Sequence, residues 1–94
     1  MKEQDITNQQ INKQLPDWFD GQVYNEGETV TNPFSGEEYT LNNLELSMYD
    51  FIMGSQYVME LAPKKITQKN IDEFHKALEW FRETNSEAYK ILLD

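Results

Sequence analysis

A chain of 94 residues has room for one domain with a small core, since at this size folding buries only about 60–65% of the surface the unfolded chain exposes. Cysteine is missing, which removes a disulfide framework and a thiolate metal site. The net charge of −9 opposes direct nucleic-acid binding, which needs a cationic footprint, while it allows a basic protein partner or mimicry of a nucleic-acid backbone.

Residues 1–14 are rich in Gln and Asn, with Ile6 and Ile11 at a spacing that suits no amphipathic element, and predict a mobile polar tail. They lack the charged-then-apolar order of a secretory signal. No apolar run of about 18 residues follows, so a soluble, cytoplasmic protein without membrane contact is expected. Residues 15–94 read as one compact domain. It opens with Leu15, Trp18 and Phe19 in a segment punctuated by the breakers Pro16 and Gly21, too apolar for a free loop. Two roles fit these side chains: a staple onto the core, or a hot spot for a partner.

From about residue 22 to 41 the signals are those of a short antiparallel hairpin or meander. Val23-Tyr24, a turn at Asn25–Glu28, then Thr29–Thr31 form the first strand pair. A second turn at Asn32–Gly36 and a third strand at Glu38–Leu41 follow, with Pro33 presetting φ and Gly36 supplying a positive φ. Val30, Tyr39 and Leu41 share the inward face.

A long helix is predicted over about 43–62. Asn42 and Glu45 form a capping box, and Pro63 stops it. Its apolar arc is wide, which predicts burial along its length. The one mostly small or polar strip runs Asn43, Ser47, Asp50, Gly54, Tyr57. Gly54 costs about 1 kcal/mol of helix propensity and predicts a close backbone approach. A second helix, about 68–84, is capped by Thr67 and carries the stripe Ile71, Phe74, Leu78, Phe81, with Glu73 on its solvated side. Trp80 lies off that stripe, and either packs on the final segment or faces a partner. A short C-terminal helix, about 87–93, closes the core with Ala88, Ile91 and Leu92. The expected fold is therefore α+β: a short hairpin or meander, two main helices and a short last one.

Chemistry is sparse. His75 is the single histidine, and with Asp72 and Glu79 it offers the one set of metal-ligand type, more simply read as a solvated face. Asp50 is the other candidate carboxylate. No nucleophile, base and oxyanion donor come together, so no enzyme, cofactor or metal is expected.

Four blocks, Asn32–Glu37, Met48–Gly54, Phe74–Arg82 and Ala88–Asp94, resemble small uncharacterised proteins encoded by marine bacteriophages. The likeness spans roughly residues 30–94. It implies an infected bacterial cell as the setting and brings no catalytic residue.

The charge is unevenly placed. Two lysines face eight carboxylates up to Asn42, three carboxylates follow by Pro63, and residues 64–94 balance. Acidity beside large aromatics suggests a protein-interaction module for a basic partner, with Trp18, Phe19, Glu37, Glu38 and Trp80 as contact candidates. The competing expectation is a structural homo-oligomer, a homodimer in the simplest case, joined through Tyr49, Gly54 and Tyr57.

Overall fold

A computed structural model describes residues 15–94; the expected tail at 1–14 lies outside the described residues. Two strands, β1 (Glu28–Thr31) and β2 (Glu38–Leu41), precede three helices: α1 (Asn43–Leu61), α2 (Gln68–Thr84) and α3 (Ser86–Leu92). A 3-10 turn at Pro63–Lys65 joins the two long helices. The architecture is α+β, as the sequence predicts.

The strands are antiparallel, with Val30 opposite Tyr39 and Thr31 opposite Glu38. Asn32 fastens the loop between them. Its side-chain oxygen accepts from the Phe34 and Ser35 amides at 2.8 and 3.3 Å, and its side-chain nitrogen donates to the Ile91 carbonyl at 2.9 Å. Gly36 takes the predicted positive φ, +81°. On the exposed face the Thr29 and Thr40 hydroxyls meet at 2.7 Å.

The predicted first strand at Val23-Tyr24 does not form. The Tyr24 amide donates to Ser47 Oγ at 2.9 Å, and its carbonyl accepts from Asn43 Nδ2 at 3.3 Å. The start of α1 thus satisfies backbone groups that a strand ladder would otherwise use. The chain then slides past the end of β2 at Gly27. A Cβ there would collide with the Leu41 carbonyl oxygen and come within 2.8 Å of Asn42 Cα, so only glycine fits.

Helix ends follow their side chains. Asn42 Oδ1 accepts from the Glu45 amide at 2.8 Å, and Glu45 Oε1 returns the bond to the Asn42 amide at 3.0 Å. Thr67 and Asn70 form the same reciprocal pair at α2. Asn85 caps α3 through the Ala88 amide at 3.1 Å, and donates from Nδ2 to Glu45 Oε2 at 3.0 Å. Two caps far apart in sequence are thereby tied into one network around a buried carboxylate.

The core gathers Leu41 of β2, Met48 and Ile52 of α1, Ala77 and Phe81 of α2, and Leu92 of α3. Two sequence expectations need correction here. Burial of α1 stops after Ile52: Tyr57, Val58 and Leu61 are 64, 46 and 66% exposed. The helix has 19 residues, about 28 Å at 1.5 Å per residue, and all its buried residues lie between Glu45 and Ile52. The buried row of α2 is Glu73, Ala77, Phe81, so the helix is rotated from the predicted stripe. Ala77 presents only a methyl and lets α2 lie close along this row, leaving Phe74 and Leu78 half-buried. Glu73 tolerates the position because Lys69 Nζ pairs with it at 2.8 Å. Among the described residues no helix is long and apolar enough to cross a membrane.

Candidate functional site

Where the two long helices leave the core, a groove of about 440 Å³ opens between them. The second half of α1 supplies its floor in two rows at helical spacing: Asp50, Gly54, Val58 and, beside them, Phe51, Ser55, Met59. Ile66 of the connection and Lys69, Asn70 and Glu73 of α2 form the far wall, while Asp20 and Gly21 close the near end.

The near end is held by the aromatic segment. The rings of Trp18 and Phe19 lie 5.8 and 5.4 Å from Phe51 and 6.4 Å from each other, all tilted. Such pairs add about 0.5–1.5 kcal/mol beyond simple burial. Pro16 shapes the approach, its carbonyl accepting from the Phe19 amide at 3.0 Å. Of the two roles open to these side chains, stapling is the geometry observed: both are half-buried on α1, and through Phe51 they fix the groove rather than line it.

Gly54 lies open. A Cβ built on it meets nothing within 4 Å, and the residue is exposed. The expected close backbone approach is not found among the described residues; the space beside this glycine is the groove.

The lining is acidic. Asp20, Asp50 and Glu73 face one ammonium, Lys69. Lys69 is engaged by Glu73, and that hydrogen bond, the pair's charge and the more distant Asp20 raise its pKa above the ordinary lysine value. Asp50 stands beside the Tyr24 phenol. Partial burial, then Asp50, then Glu28 push that phenol upward.

The remaining predicted residues disperse. Ser47, assigned by the sequence to the polar strip, is 0% exposed; its hydroxyl donates to the Asn43 carbonyl at 2.7 Å and accepts from Tyr24. Tyr49, expected at a self-interface, is buried with its ring 6.5 Å from Phe81. It belongs to the core, which cannot serve a partner copy; only Gly54 and Tyr57 of that trio reach the surface. Trp80 is half-buried against the core, edge-on to Phe81. Glu37 and Glu38 sit exposed on the hairpin, where Phe34 is 97% exposed, and neither lines the groove. His75 and Glu79 border a separate surface hollow beside Tyr89. Asp72 accepts instead from Gln68 Nε2 at 3.0 Å, and among the described residues no three His, Cys, Asp or Glu side chains are grouped to hold a metal ion.

Ile66, Lys69 and Asn70 escape sequence reasoning because they meet Asp50 and Gly54 only once α2 folds back. The legible signal was Gly54 itself, a helix-breaking residue in the middle of an otherwise strong helix. Comparison with protein families, curated proteins and solved structures finds no match.

Proposed function

We propose that this chain is a non-enzymatic interaction module of the cytoplasm that docks a basic protein partner in the groove between α1 and α2. The observation that carries the reading is Gly54. An exposed glycine inside a helix costs about 1 kcal/mol against alanine, and packing among the described residues does not require one here because a Cβ would meet none of their atoms within 4 Å. Keeping this floor position bare holds the groove open for an occupant. The phage resemblance supports a setting in an infected bacterial cell.

Affinity capture with the full chain as bait, run beside a Gly54→Leu bait, tests the reading. Leucine fills the groove and favours the helix, so the variant keeps or raises the melting temperature. A partner held by the native chain and lost by Gly54→Leu is the expected result. Identical captures would remove the groove as the docking face.

A second reading, self-association, rests on a separate observation: Tyr57, Val58 and Leu61 leave the second half of α1 apolar and exposed.

A further inference from the structure

We infer that the groove takes a lysine- or arginine-bearing segment of its partner, the aliphatic stem lying along α1 and the charged head at the mouth beside Asp20 and Asp50. This deepens the docking reading and rests on it. Of the three carboxylates that line the groove, Glu73 is already paired with Lys69 at 2.8 Å. That ion pair is the one formed among the described residues. Asp20 acts on the same ammonium only at longer range, and Asp50 has a neutral partner, the Tyr24 phenol that hydrogen-bonds to it, so neither carboxylate holds a cation of its own among those residues. Both carboxylates are exposed and remain hydrated while the groove is open.

An occupant changes that. A purely apolar one would strip water from Asp20 and Asp50 and return nothing, which is unfavourable for an ionised group. An anionic one would meet two like charges. A bare inorganic cation would gain nothing from Phe51, Val58 and Met59 on the floor. A long basic side chain satisfies both parts, since its methylene stem covers apolar surface while its head stays at the charged rim. A groove of about 440 Å³ lies near the small end of ligand sites, so it holds a few side chains of a peptide segment, not a folded domain.

The test is an amide NMR titration of the full chain with a short amphipathic peptide alternating lysine and leucine, beside the same peptide with glutamine at each lysine. The lysine peptide is expected to shift Gly21, Gly54, Ser55 and Asn70. Its affinity should fall on the order of tenfold in the Asp20→Asn, Asp50→Asn double variant, fall with added salt, and vanish at these amides in Gly54→Leu. The salt series on the native chain decides the matter should the double variant fail to fold. Equal binding of the glutamine peptide overturns the cationic assignment and leaves the docking reading standing. Shifts confined to the hairpin or α3, or no binding of either peptide, also overturn it, and the docking reading is then judged on the paired capture.

Discussion

At the scale of single residues, Gly54 separates what the fold needs from what the groove needs. Gly54→Ala adds a methyl into open space and removes the conformational freedom of glycine from the unfolded chain. It should therefore raise stability by about 1 kcal/mol, which for a domain of this size is roughly 4–8 °C in melting temperature. Thermal unfolding followed by circular dichroism checks this; a lower melting temperature would mean that the glycine packs against something after all. Ser47 teaches the opposite lesson. Both residues sit on one small, polar strip in the sequence, yet Ser47 is fully buried and Gly54 is open. A strip of small residues marks where something can approach without saying what does. Here the first turn of the strip receives the Tyr24 backbone from the preceding loop and Asp50 receives the Tyr24 phenol, while Gly54 receives nothing from the described residues. Asp50 and Gly54 were therefore legible as special, while their partners across the groove were not.

At the scale of elements, the caps were legible because they are local. Asn42 with Glu45, and Thr67 ahead of α2, act within one turn of chain, and the structure forms both as predicted. The link between caps is not local. Asn85 closes α3 and also donates to Glu45 Oε2, so one amide serves two helices whose contact no periodicity announces. Asn85→Ala should then cost more than the about 1 kcal/mol of an isolated cap, about 2 kcal/mol once a buried carboxylate oxygen loses its donor. Denaturant unfolding of Asn85→Ala, Glu45→Ala and the double variant measures the link. The expected coupling is about 0.5–3 kcal/mol, and strict additivity would reduce the network to two independent caps. The rotated face of α2 was hidden for a similar reason. Hydrophobicity favours Ile71 and Phe74 as the buried row, but small size at Ala77 and an ion pair at Glu73 decide the contact. The missing strand at Val23-Tyr24 likewise lost its ladder to Asn43 and Ser47, side chains that a strand pattern does not weigh.

At the scale of the whole molecule, titration and charge make two predictions. Tyr49 is raised from 10.0 by burial, Tyr24 by partial burial and then Asp50, and Lys69 is raised from 10.5 first by its hydrogen bond to Glu73. Each folded-state value lies above the unfolded one, so each stabilising contribution is complete below about pH 10 and fades as pH rises through the folded value. Stability should hold through neutral pH and fall above pH 10, with a component of the tyrosinate absorbance titration displaced above 10.0; a flat melting temperature across that range would contradict the burial of Tyr49. The second prediction sets docking against self-association. An apolar strip of Tyr57, Val58 and Leu61 invites a second copy, but each copy brings a net charge of −9, and the repulsion between them is weakly screened at low salt. Three side chains on one helix also fall short of the roughly 800 Å² per partner that a stable interface buries. Light scattering across a concentration series should therefore give a monomer at low salt, with Tyr57→Ser and Leu61→Ser leaving both mass and melting temperature unchanged. A dimer that persists at low salt and dissociates in those variants would transfer the open half of α1, Val58 of the groove included, to a self-interface, and would leave the cationic segment no place to dock.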